Sequence, residues 1–275
     1  MLLSASFIKY LLQDDIVKKI WSIIFAAAAF CCFGSEKKNG VSKMNIPVCR
    51  EAMDKFASSE HFKVLLFGAS NTERYAPFMH WADVLETALR KKYYRKFHVI
   101  NSGYSGSNTR EAKQRFDWLV RDFKPDVVII TFGGNDSINR PERFIDEKEF
   151  TGNLEFFIKE IRSMGGIPIL QTYYKPNLAD IDPVYAKNFV RYMQVVRDIA
   201  VRNNVFLVDQ YKFFEKLDRN THLYKLLLNA MHLNEQGNML MGVILAKHFN
   251  LEPEIVPHNE KQQAALKLFN AIAEN

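Results

Sequence analysis

The chain has 275 residues, with 37 Lys plus Arg against 31 Asp plus Glu for a formal net charge of +6, and 48% of it is apolar with 12 Gly and 9 Pro. This composition excludes collagen-like, low-complexity and largely disordered classes, and its 22 Phe and 11 Tyr supply an aromatic-rich core. Cys31, Cys32 and Cys49 form no disulfide framework and show no metal-ligand spacing, so neither a metal nor a cofactor is expected.

Ile20 to Gly34 reads IWSIIFAAAAFCCFG, an uncharged stretch behind Lys18 and Lys19. A membrane span needs roughly 20 apolar residues, so the stretch suits a signal-peptide core or an N-terminal anchor better. Small residues near Ala28 and at Cys32 and Gly34 permit cleavage. Asp14 and Asp15 interrupt the basic leader, and Phe30 before Cys31 is a poor context for lipidation. Residues 1–34 are therefore expected to direct export or anchor the chain, the alternative being an ordinary buried helix and a cytoplasmic protein. Residues 35–60 read as a polar lead-in.

From Lys63 onward, short apolar runs alternate with segments of helical period. The runs are Lys63 to Phe67, His98 to Asn101, Asp126 to Phe132, Ile167 to Tyr173 and Val205 to Asp209. They are continuous rather than alternating, which predicts strands buried on both faces.

Between them lie four apolar stripes at helical spacing. They are Trp81 to Leu89, Ala112 to Phe123, Leu154 to Ile161 and Phe189 to Ala200. Asn108 with Glu111 marks a helix start, and Gly165-Gly166 a helix stop. A last helix is expected from Asn234 to Phe249, then a Pro-bounded tail over 253–275 with one more helix. Repeated β-α units predict one α/β domain over 61–252, with a five-stranded parallel sheet covered by helices on both sides.

In such sheets the ligand site lies outside the carboxyl ends of the strands. The segments there are GASNT (Gly68 to Thr72), NSGYSGSNT (Asn101 to Thr109) and FGGNDS (Phe132 to Ser137), with NAMHLNEQGN (Asn229 to Asn238) near the last helix. Acyl transfer accounts for these residue types. A serine hydroxyl needs an imidazole to take its proton, and the tetrahedral intermediate needs donors such as a glycine N–H and an asparagine amide. Ser70, His232, Gly106 and Asn135 meet those needs.

In this order and spacing, the four blocks resemble the SGNH or GDSL-type hydrolase superfamily over roughly residues 62–250. The resemblance implies a three-layer α/β/α flavodoxin-like sandwich and a serine esterase acting on acyl, often acetyl, esters of carbohydrates or small alcohols. It implies Ser70 as nucleophile and His232 as base, with the Ser70 N–H, the Gly106 N–H and Asn135 as the oxyanion hole. Two positions depart from the family pattern. Ala69 stands where GDS has Asp, and Asn229 stands three residues before the histidine, where the triad acid belongs.

A neutral amide cannot stabilise an imidazolium and can favour the wrong tautomer, a change that costs about 10⁴ in turnover in a serine protease. Asp209, whose plainer reading is a turn or cap residue, a backbone carbonyl or a simple Ser-His dyad could substitute, and a catalytically impaired binding protein is the alternative reading. A flavodoxin-like phosphate binder lacks the Gly-rich cradle it would need.

Other residues carry plainer expectations. Ser70 could instead cap a helix, Gly103 serves backbone geometry, and Asp136 is a turn or capping residue. Tyr173, Tyr174 and Lys175 line the substrate pocket or a solvated loop, and Arg140 and Arg143 are expected to be solvated, the alternative being contact with an anionic substrate. Within 60–250 there are 27 Lys plus Arg against 22 Asp plus Glu, and RKKYYRK (Arg90 to Lys96) supplies five of those cations. That cluster should sit at the strands' amino ends, so no nucleic-acid partner is expected and any membrane contact is left to the N-terminal segment.

Overall fold

The computed structural model describes residues 46–274 apart from residue 75, residues 218–222 and residues 254–258. The apolar N-terminal segment lies outside the described residues. Among those residues no helix is long and apolar enough to cross a membrane.

Strands β1 (Phe62–Gly68), β2 (Phe97–Gly103), β3 (Val127–Thr131), β4 (Ile167–Gln171) and β5 (Phe206–Val208) form one parallel sheet in the order β2-β1-β3-β4-β5. Each lies within two residues of its expected bounds. Side chains alternate across a strand, so Val64 and Leu66 enter one apolar layer while Leu65 and Phe67 enter the other. The edge strand β2 departs from the expectation of full burial. Only Phe97 and Ser102 are buried there, since an edge strand is flanked on one side alone.

The helices are α1 (Arg50–Ser58), α2 (Trp81–Tyr93), α3 (Thr109–Gln114), α4 (Phe116–Leu119), α5 (Glu147–Ser163), α6 (Pro183–Arg202), α7 (Gln210–Glu215), α8 (Glu235–His248) and α9 (Glu260–Glu274). Phe56 of α1, Leu85 of α2, Ile244 of α8 and Phe269 of α9 share one layer. Phe116, Phe157 and Phe189 of α4, α5 and α6 share the other. There Phe67 meets Phe116, Phe132 and Phe157 edge to face, at centroid separations of 6.0, 4.9 and 5.0 Å.

The helix signals hold locally. Asn108 and Glu111 form a capping box on α3, and Gly165 follows α5 with φ +79°. The stripe from Ala112 to Phe123, expected as one helix, is broken at Arg115, with φ −105° and ψ 11°. Phe123 ends in a short 3-10 turn, 38% exposed. Ser102 Oγ donates to the Leu119 carbonyl at 2.6 Å, taking an acceptor that a continuing helix would use.

The chain steps from β1 to β2 on one side and then crosses to β3 on the other. That reversal is the topological switch point, where sheets of this order open a crevice beyond the carboxyl ends. The basic cluster lies at the other end, where Arg90, Lys91 and Lys92 close α2 and the chain enters β2 beside Phe62.

Gly103 ends β2 directly under the loop after β1. A Cβ there would lie 2.1 Å from Glu73 N and 2.5 Å from the Thr72 carbonyl carbon. Because backbone blocks it, Gly103→Ala should cost about 1–3 kcal/mol. For a domain of this size that lowers Tm by roughly 2–12 °C in a thermal melt. An unchanged Tm would mean that this loop yields freely.

Candidate active site

The β1–α2 connection begins with a turn after β1. Thr72 N and Glu73 N both donate to the Ala69 carbonyl at 2.9 Å, and α2 does not begin until Trp81. Its cap is His80, whose Nδ1 accepts from Ala82 N at 3.2 Å, so Ser70 caps no helix.

Since His80 Nδ1 accepts, its proton is on Nε2, which faces the Asn71 carbonyl at 3.2 Å. Burial holds this imidazole neutral by pushing its pKa down to about 4. Trp81 Nε1 donates to the same carbonyl at 2.7 Å. The residue after Ser70 is thus pinned by the start of α2.

Ser70, half-buried, places Oγ 3.1 Å from His232 Nε2. On the far side of the ring, His232 Nδ1 lies 3.1 Å from Asn229 Oδ1. That oxygen also accepts from the backbone N–H groups of Met231 and His232, each at 2.9 Å. Backbone N–H groups can only donate, so they select the amide oxygen and leave no place for its NH₂. The Nδ1 proton follows, and Nε2 keeps its lone pair toward Ser70. Burial lowers the His232 pKa below the ordinary imidazole value.

The loops after β2 and β3 meet each other at the same edge of the sheet. Gly106 has φ +75°, a conformation that favours glycine. Asn135 Nδ2 donates to the Ser107 carbonyl at 2.8 Å, which fixes the amide plane while using one of its two N–H groups. Behind them, fully buried Asp136 accepts from Thr109 N and Thr109 Oγ1 at 2.8 and 2.5 Å and from Gly133 N at 3.2 Å. Burial pushes its carboxyl up to about 6, against these hydrogen bonds. Asp136 therefore ties the loop after β3 to the start of α3.

The model of the GDSL-like lipase/acylhydrolase family matches residues 66–240. The chain belongs to that family. As a member it is an ester hydrolase. An uncharacterized lipoprotein of Bacillus subtilis (strain 168), YqeF, is 29% identical over 201 residues, 64% of this chain and 81% of the relative. An acetylxylan esterase of Geobacillus stearothermophilus is 26% identical over 160 residues, 56% of this chain and 73% of the relative. A crystal structure of an acetylxylan esterase from the same organism superposes with a TM-score of 0.62 at 24% identity, covering 70% of this chain and 96% of that one. It shares the fold.

Within this GDSL-like chain, Asp209 takes the plainer of its two expected roles, that of a cap. It pairs with Arg197 at 2.8 Å, accepts from Thr172 Oγ1 at 3.1 Å and caps α7. Tyr173 and Tyr174, 3% and 1% exposed, belong to the interior rather than to a solvated loop.

Arg143 is half-buried, not solvated. Its Nη2 donates to the Gly106 carbonyl, while its own carbonyl accepts from Asn108 Nδ2 at 3.2 Å. The composition of the loop does not reveal this role, because the partner is a backbone oxygen.

Removing that guanidinium frees the Gly106 peptide. Arg143→Ala should lower kcat about tenfold on a small chromogenic acetyl ester, within the sensitivity of turnover to small misplacements. KM should change little. Equal kcat in variant and wild type would show that the loop holds itself.

Proposed function

We propose that this ester hydrolase is a serine esterase that removes acyl groups, foremost acetyl, from a carbohydrate or small alcohol. The observation carrying the reading is the line from Ser70 Oγ through the His232 ring to Asn229 Oδ1, with 3.1 Å at each end. Ser70 Oγ attacks the ester carbonyl as His232 Nε2 takes its proton. The Ser70 and Gly106 N–H groups and the second Asn135 N–H stabilise the oxyanion. The imidazolium gives its proton to the departing alkoxide, leaving an acyl-enzyme, and water activated by His232 releases the acid.

The neutral Asn229 favours the rival reading, a weakly active or inert binding protein. In a serine protease the Asp-to-Asn penalty of about 10⁴ comes with a wrong tautomer. Here the Met231 and His232 N–H groups oppose that tautomer, so the remaining handicap is the missing negative charge. Acetyl on a carbohydrate is supported by the acetylxylan esterase relative and by a shallow site in which Asn229 is exposed and Ser70 and His232 are half-buried. The lipoprotein relative supports export of this chain.

The test is hydrolysis of chromogenic and sugar acetates. Ser70→Ala should fall to background, and Asn135→Ala should lose about 10²–10³ in kcat. An inert wild type that gains turnover with Asn229→Asp would establish the impaired reading.

The pH profile gives a separate check. Neutral His232 is the active base, and burial lowers its pKa. The acidic limb of kcat/KM should therefore lie below the ordinary imidazole value of about 6.5. Asn229→Asp adds a negative charge that favours the imidazolium, so the limb should move to higher pH. A limb that stays in place would mean that His232 is not the titrating base.

A further inference from the structure

The loops carrying the serine and the histidine come from chain segments some 160 residues apart, and a buried tyrosine spans them. Tyr174, 1% exposed just beyond β4, has its hydroxyl 2.7 Å from Asn71 Oδ1 and also against the Met231 carbonyl. Asn71 follows Ser70, and Met231 precedes His232. Tyr173, buried beside it, hydrogen-bonds the same Asn71 side chain.

The Tyr174 hydroxyl donates to Asn71 Oδ1 at 2.7 Å and to the Met231 carbonyl, so one phenolic proton lies between an acceptor on the serine loop and an acceptor on the histidine loop. With Asn71 Oδ1 toward Tyr174, its Nδ2 is the group left to donate to the Tyr173 hydroxyl.

We infer that Tyr174 is a positioning residue, which sets the Ser70–His232 distance by bridging Asn71 and Met231. The inference rests on the proposed esterase reading. It differs from general core packing because a single hydroxyl does the bridging and the ring would pack equally well without it. The Asn71 carbonyl is already pinned by His80 and Trp81, so the bridge mainly locates the histidine loop relative to the serine loop.

The test is Tyr174→Phe, which keeps the ring, compared with Asn71→Leu and the double variant. On a small chromogenic acetyl ester, Tyr174→Phe should lower kcat by about tenfold to a hundredfold with KM nearly unchanged. The double variant should be no worse than the poorer single, because both break one bridge. The ¹⁵N resonances of the His232 ring should shift in Tyr174→Phe, and Tyr173→Phe, which leaves the bridge itself in place, should shift them less.

A thermal melt checks that the variants fold. Unchanged kcat, fully additive losses or unmoved His232 resonances in folded Tyr174→Phe would overturn the inference. Failure of the esterase reading looks different: wild type would be inert on every ester, while the ring resonances would still report the bridge.

Discussion

Parallel pairing puts the carboxyl ends of all five strands on one edge of the sheet, and the register of β1 makes that edge level where it matters. Gly68 pairs with Gly103 on one side and with Thr131 on the other. Ser70, Gly106 and Asn135 follow those three residues by two, three and four positions. Short loops from level strand ends leave little freedom, so their polar groups stay at one edge of the sheet. Only His232 must be brought from elsewhere, through the segment before α8, and its position depends on contacts that the sheet does not dictate.

The loops are held by a fully buried carboxylate and a half-buried guanidinium. Asp136 joins the loop after β3 to α3 through the Thr109 N–H and hydroxyl, and Arg143 fastens the Gly106 carbonyl. Neither bond needs to touch a substrate. Dipoles stabilise developing charge best when they need not reorganise during the reaction, and this framework supplies that rigidity. The imidazoles fit the same logic, with burial keeping His80 neutral as a donor and lowering the pKa of His232.

Much of this was legible from sequence because it is local. Val127 to Thr131 is continuously apolar since both faces are covered, and Asn108 with Glu111 caps α3 within a single turn. What escaped was non-local. The break at Arg115 accompanies a hydroxyl from Ser102, seventeen residues before the Leu119 carbonyl it engages. Arg143 and Tyr174 bond to backbone carbonyls of Gly106 and Met231, and a backbone acceptor leaves no mark on the residue type at its position. Ser70, His232 and Asn135 could be named because the chemistry proposed for them requires particular side chains, and Gly106 because a positive φ favours glycine. The residues that hold them require only a donor at the right place.

Asn229, the departure from the motif, keeps its place in the histidine loop. The residue has two tasks, and they make different demands. Its side-chain oxygen must accept from the N–H groups two and three residues ahead, an Asx-type turn that shapes the histidine loop. The same oxygen must accept the Nδ1 proton of His232. Asn and Asp meet the first demand equally, since each offers one carbonyl-type oxygen. For the second, Asn supplies the hydrogen bond and the tautomer but not the charge. Loop geometry is therefore kept in full while the stabilisation of the imidazolium is only partly kept, and the ring protonates less readily. Asn at this position thus keeps the hydrogen bond to Nδ1 of His232, whose ring, with its pKa lowered by burial, stays neutral further into the acidic range.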